Sequence, residues 1–183
     1  TMTVIASKNK SLSNLMQKTF SSENFRVYTQ DDVKGIELGG ALKNVIAIGV
    51  GIGDGLKSGE NGRAALITRG IAEMIIFGMA LGAEGITFAG LSGIGDLILT
   101  CTSGKSRNYR AGVSIGQGLN PKELFSSGET IEGLHTAKAA YEIAKNKKIK
   151  VPIMEMVYKI VYLGLKPKDG FKELMRLELS SEN

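Results

Sequence analysis

The stretch Glu37-Leu-Gly-Gly-Ala-Leu-Lys43-Asn44-Val-Ile-Ala-Ile-Gly-Val-Gly51 decides the fold of this chain. Ala41, Leu42, Val45, Ile46, Ile48 and Val50 leave a helix here with almost no wet face. A helix that is apolar nearly all round is a buried one. It carries one lysine, Lys43, which must snorkel out to water or sit in a polar pocket. On residue type alone, a solvated lysine at the edge of a core helix is the plainer outcome, because lysine is rarely buried unpaired. Two polar features further along favour the pocket: a lone aspartate in Gly95-Asp96-Leu97, and the cluster Ser106-Arg107-Asn108. The reading adopted is a chain built to bring these three to one cleft.

Working outward, Asp31 or Asp32 can cap this helix, and Gly49, Gly51, Gly53 and Gly55 are expected to end it. Asn61 can cap the next helix, Gly62 to about Leu81, along which Arg69 and Glu73 stand four apart and can pair. Gly85 to Thr102 is shorter and punctuated by glycine, and Ser106 is a plausible N-cap. Pro121 starts a small helix broken by Ser126-Ser127-Gly128. A stronger helix runs from Glu132 to Lys145, Pro152 opens another, and Phe171 to Leu177 closes the fold. Before all of these, Thr1 to Ser7 and Phe25 to Tyr28 read as strands around an amphipathic Ser11 to Phe20. Two strands joined by a helix are a βαβ unit, normally part of a larger parallel sheet. No strand pattern follows. The expected fold is therefore mainly α, an all-α domain over 32–183 preceded by a short βαβ remnant of an α/β domain over 1–31.

Composition sets the outer limits. In 183 residues, hydrophobic content of 43% and charged content of 22% are ordinary for a globular protein. Glycine is not: 24 residues, many inside helical patterns where each costs stability relative to alanine. Glycine kept there implies close helix contacts or backbone near a ligand. Cys101 is the one cysteine, which excludes an intrachain disulfide and fits a cytoplasmic location. The apolar run Met74 to Ala83 is too short to span a bilayer, so no integral membrane segment is expected. The net charge of +5 suits an anionic small substrate. Lys145, Lys147, Lys148 and Lys150 lack interleaved aromatics and offset a helix dipole, so nucleic acid is not an expected partner.

Several motifs fail on context. Gly49-Val-Gly51-Ile-Gly53 lacks dinucleotide spacing and follows a helix. Gly104-Lys105-Ser106 ends like a P-loop, but Leu99 replaces its first glycine. Gly112-Val-Ser114-Ile-Gly116 has no preceding strand. His135 has no triad partners in view, and no Cys/His cluster has metal-ligand spacing. What survives is Lys43-Asn44, Asp96 and Ser106-Arg107-Asn108. A lysine in an apolar surround can donate or accept a proton, and a nearby carboxylate would hold it. Ser-Arg-Asn at a helix start offers N–H groups, a hydroxyl, an amide and a guanidinium to an anion. Asp96 and Ser106 are equally explained as helix caps.

The stretches Leu38-Gly-Gly-Ala-Leu-Lys-Asn-Val-Ile-Ala-Ile-Gly49, Ala65-Leu-Ile-Thr-Arg-Gly70, Gly93-Ile-Gly-Asp-Leu-Ile-Leu-Thr-Cys-Thr102 and Ser106-Arg-Asn108 closely resemble bacterial NAD(P)-dependent glycerol-3-phosphate dehydrogenase. The resemblance runs in order over essentially the whole chain. It implies hydride transfer between NAD or NADP and dihydroxyacetone phosphate or sn-glycerol 3-phosphate, the latter a precursor of glycerophospholipids. It makes Lys43 the catalytic proton acceptor. Lys43, Asp96, Ser106, Arg107 and Asn108 match substrate contacts, with Arg107 and Asn108 towards the phosphate. Arg107, Thr130 and Glu132 match cofactor contacts, and Asn44 and Thr100 stand where related enzymes place supporting residues. Residues 1–31 would be the end of the family's Rossmann domain, and these 183 residues alone are expected to be inactive. A homodimer is an open expectation, and no metal is expected. The competing readings are the helical domain of another two-domain hydroxy-acid dehydrogenase and a non-enzymatic helical interaction module.

Overall fold

A computed structural model describes residues 1–126 and 128–175. Strand β1 (Met2–Ala6), helix α1 (Lys10–Phe20) and strand β2 (Arg26–Gln30) come first. The strands pair in parallel, from Met2 with Arg26 to Ala6 with Gln30, and form the one sheet among the described residues. Among the described residues every element after Gln30 is helical: α2 (Val33–Gly55), α3 (Gly59–Ala80), a 3-10 turn (Gly85–Ala89), a π turn (Leu91–Gly95), α4 (Asp96–Thr102), α5 (Arg107–Gly116), α6 (Pro121–Phe125), α7 (Glu132–Lys147), α8 (Pro152–Leu163) and α9 (Pro167–Met175). The expected class, mainly α after a short βαβ unit, is the observed one.

Helix α2 is the axis of the molecule, with α3, α4, α5, α7 and α8 packed around it. From Asn44 to Gly53 every residue is buried. Val45, Ile46, Ile48, Val50 and Ile52 are fully enclosed, each worth about 1.5–3 kcal/mol of transfer free energy. By length and composition α2 is also the one helix among the described residues that could cross a membrane, but most of it lies inside this fold, as in a core helix. Asp32 starts it. Its carboxylate accepts from Gly35 N at 2.9 Å, Glu84 N at 2.8 Å and Thr87 Oγ1 at 2.7 Å, so one side chain caps α2 and ties it to the segment after α3. Burial works against that charge, but the three hydrogen bonds and nearby Lys34 outweigh it and lower the pKa.

Of the four glycines expected to end α2, three do not: the helix continues through Gly49, Gly51 and Gly53 and stops only at the last, Gly55. The reason is α5, its most extensive neighbour. A Cβ on Gly51 would stand 2.3 Å from the Tyr109 carbonyl oxygen, and one on Gly55 2.4 Å from that of Val113. In return, a Cβ on Gly112 would stand 2.2 Å from the Ile48 carbonyl oxygen and one on Gly116 2.4 Å from that of Ile52. Two helices with glycine every fourth residue thus meet backbone to backbone. Their separation is set by the absence of side chains, and this close contact offsets the intrinsic helix cost of glycine.

Three further expectations are corrected. Helix α3 begins at Gly59, before Asn61, with Ser58 at the cap position but giving no side-chain hydrogen bond. Glu73 does not pair with Arg69. It is 4% exposed, and its carboxylate accepts from Ile153 N at 2.7 Å and Met154 N at 3.1 Å. It satisfies N–H groups that α8, started by a proline, leaves open. Burial pushes its pKa up to about 7 against the pull of those two N–H groups. The last described helix begins at Pro167, four residues before Phe171; Ser127 and Leu177 lie outside the described residues.

Candidate active site

The glycine contact carries the start of α5 to the flank of α2 beside Lys43, where Asn108 meets Asn44. The result is an open cleft of about 390 Å³ lined by Gly40, Lys43, Asn44, Leu99, Thr100, Ser103, Lys105, Ser106, Arg107, Asn108 and Glu132. Lys43, 19% exposed, points its Nζ at Asp96 Oδ2 in an ion pair; Asp96 is 34% exposed. Asp96 is the first residue of α4. The Thr100 hydroxyl donates to the Asp96 backbone carbonyl at 2.6 Å and lies 3.4 Å from its carboxylate Oδ1. Lys43 therefore neither snorkels freely nor lies unpaired. Its neighbours Leu42, Asn44 and Val45 are buried, so the ammonium is presented from a rigid wall.

Ser106 caps α5 by accepting from Tyr109 N at 3.2 Å. Arg107 opens that helix, is exposed, and has no hydrogen bond or ion pair among the described residues. A free guanidinium beside a helix start has the charge and the N–H groups to attract an anion. Lys105 adds a second cation that sequence reading passed over as part of a failed P-loop; its adjacency to Ser106 was the available signal.

Asn108 lines the same cleft and is also tied into the fold. It is 9% exposed, its Nδ2 donates to Asn44 Oδ1 at 3.0 Å, and its Oδ1 accepts from Gly133 N at 2.9 Å. Asn44 Nδ2 in turn donates to Glu132 Oε2 at 3.1 Å. This chain of amides joins α2, α5 and the start of α7, and it aims the Glu132 carboxylate at the rim. Thr130 does not line the cleft and is exposed just ahead of it. Cys101, next to Thr100, is buried, and burial pushes its thiol up to about 12, so it offers no thiolate. His135 is exposed and packs edge-on against Phe125, away from the cleft. Among the described residues there is no metal-ligating cluster.

Residues 32–172 match the family described as the C-terminus of NAD-dependent glycerol-3-phosphate dehydrogenase. The chain belongs to that family. It is 49% identical over 177 residues to a glycerol-3-phosphate dehydrogenase [NAD(P)+] of Geobacillus thermodenitrificans, covering 96% of this chain and 52% of the relative. With the protein of the same name from Limosilactobacillus reuteri it shares 51% over 168 residues, covering 91% and 50%. The crystal structure of glycerol-3-phosphate dehydrogenase from Coxiella burnetii superposes with a TM-score of 0.90 at 41% identity, covering 96% of this chain and 55% of that one. The chain thus spans about half the length of the curated relatives it matches.

Proposed function

We propose that this chain carries the substrate-binding half of an NAD(P)-dependent glycerol-3-phosphate dehydrogenase. The reaction is the interconversion of dihydroxyacetone phosphate and sn-glycerol 3-phosphate, with the latter drawn into glycerophospholipid synthesis. Residues 32–183 are the substrate domain in this reading, and residues 1–31 belong to a nucleotide-binding layer. The observation that carries it is one cleft in which an ion-paired lysine, Lys43, shares walls with an unpaired Arg107 at a capped helix start.

A three-carbon phosphate ester asks for those two features. Arg107 and the first N–H groups of α5 hold the phosphate through charge-assisted hydrogen bonds, with Lys105 adding field. Lys43 then serves the C2 oxygen. In oxidation its amine takes the hydroxyl proton, and in reduction its ammonium gives one to the carbonyl oxygen. Asp96 holds Nζ in place, and Thr100 holds Asp96. A bound nicotinamide supplies the hydride acceptor or donor. Of this chain, Glu132 and Arg107 at the rim would meet NAD or NADP, with Thr130 on the exposed approach. The turn after β1 reads Ser7-Lys8-Asn9 and has no glycine to cradle a pyrophosphate. The residues present fit the reacting end of the dinucleotide only. A cytoplasmic location and a homodimer belong to the same reading, supported by the single buried cysteine and by exposed Ile76, Met79 and Ile86.

The test is oxidation of NADH or NADPH by dihydroxyacetone phosphate, run on a polypeptide spanning the full length of the curated relatives and on these 183 residues alone. The longer polypeptide should turn over and the 183 residues should not. Turnover by the short chain would mean that the cofactor site has been misplaced, and an inactive long one would remove the proposal.

A further inference from the structure

The contact between α2 and α5 has a mechanical weakness. Packed helices resist sliding because side-chain ridges sit in grooves. Here Gly51 and Gly55 face Gly112 and Gly116, so the contact fixes separation but offers little to fix register. Buried Ala111 and Ile115 on α5 and the polar ties between the helices must do that. One such tie is the Asn44–Asn108 hydrogen bond inside the cleft. The other lies outside it. Asp54 Oδ2, near the end of α2, accepts from the Tyr109 hydroxyl at 2.6 Å and from Arg63 Nε, in the first turns of α3, at 2.8 Å. Tyr109 follows Asn108 directly, and its backbone N–H is the group capped by Ser106.

We infer that Tyr109, Asp54 and Arg63 are positioning residues: their shared hydrogen bonds set the register of α5 on α2 and so the place of Arg107 in the cleft. None of the three lines the cleft. The Asp54 side chain is 10% exposed, deep enough for both bonds to be shielded from water. Burial, with Asp54 beside it, raises the Tyr109 pKa, so the hydroxyl stays a donor. The hydrogen bond to Asp54 likewise raises that of Arg63. Only the kinetic consequence rests on the proposed function; the mechanical one stands on the fold.

The experiment therefore has two arms. In the 183-residue chain, Tyr109→Phe should speed amide exchange at Tyr109 and Arg110 by roughly fivefold, the scale of one lost hydrogen bond, and leave α8 amides such as Val157 unchanged. In the full-length polypeptide, the same change should raise KM for the phosphorylated substrate about fivefold with kcat within about twofold. That rise should vanish when Arg107→Ala is also present, because the tie acts through Arg107. Arg63→Gln should reproduce the pattern. Unchanged exchange at the start of α5 overturns the inference, as does a KM rise that persists without Arg107. If the full-length wild type fails to turn over, the functional proposal falls, and the exchange arm still decides the tie.

Discussion

Gly112→Ala is the substitution that the backbone contact makes most informative. Its new Cβ would lie 2.2 Å from the Ile48 carbonyl oxygen, 2.9 Å from Gly51 Cα and 3.0 Å from the Ile48 carbonyl carbon. All three are backbone atoms in the fully buried part of α2, residues 44–53, so none can swing away. Ordinary contact begins near 3.4 Å, so α5 must retreat by about 1.2 Å, enough to forfeit roughly half of the dispersion energy of neighbouring contacts. Ala111 and Ile115, both buried, would lose packing. Overpacking of this kind costs about 1–3 kcal/mol, and the upper end is expected here. Retreat also stretches the Asn44–Asn108 bond from 3.0 Å beyond hydrogen-bonding range. Urea unfolding should show a midpoint lowered by an amount equivalent to about 3 kcal/mol, with an unchanged slope. A Gly112→Ala protein within about 0.5 kcal/mol of wild type would refute the close α2–α5 contact.

Three other changes probe separate parts of the account. Glu73, raised from 4.5 to about 7, binds its proton more tightly folded than unfolded, so its stabilising contribution is complete below about pH 4.5 and is lost as pH rises through 7. Its size is on the order of 3 kcal/mol. Urea midpoints at pH 5 and pH 8 should therefore differ more for wild type than for Glu73→Gln; equal differences would count against it. Asp32→Ala leaves three donors without their acceptor and should destabilise by about 3 kcal/mol in the same assay, whereas a loss below about 1 kcal/mol would deny the clamp. Arg107→Ala in the full-length polypeptide should raise KM for the phosphorylated substrate on the order of tenfold or more, from the loss of a charged hydrogen-bond partner. Unchanged KM values for substrate and cofactor would remove it from the phosphate site.

Much of this architecture is legible in the sequence because local signals agree with the packing. Asp32 caps where a capping residue was expected, Pro121 and Pro152 start helices, and the uncharged run around Lys43 is the core. The misreadings have one physical form: a local rule lost to a distant partner. The glycines from 49 to 55 are helix breakers in isolation, and only the matching spacing of Gly112 and Gly116 reveals the helix that needs them. Glu73 has Arg69 at pairing distance along α3, yet the orphan N–H groups of α8, 80 residues away, claim it. Asn108 lines the cleft beside Arg107, but nothing in the sequence signals that its amide also ties Asn44 to the start of α7. Lys43, Asp96 and Arg107 were predictable as a group because their residue types make sense only together. Thr130 had no such support, and it stands outside the cleft.

The central claim is that Lys43, held by Asp96, moves the proton at the C2 oxygen, and Lys43→Ala in the full-length polypeptide tests it most directly. Steady-state rates of dihydroxyacetone phosphate reduction should show kcat lower by about 10²-fold or more, the usual scale of general acid–base catalysis, with KM for the phosphorylated substrate far less affected. A Lys43→Ala enzyme with wild-type kcat would contradict the account.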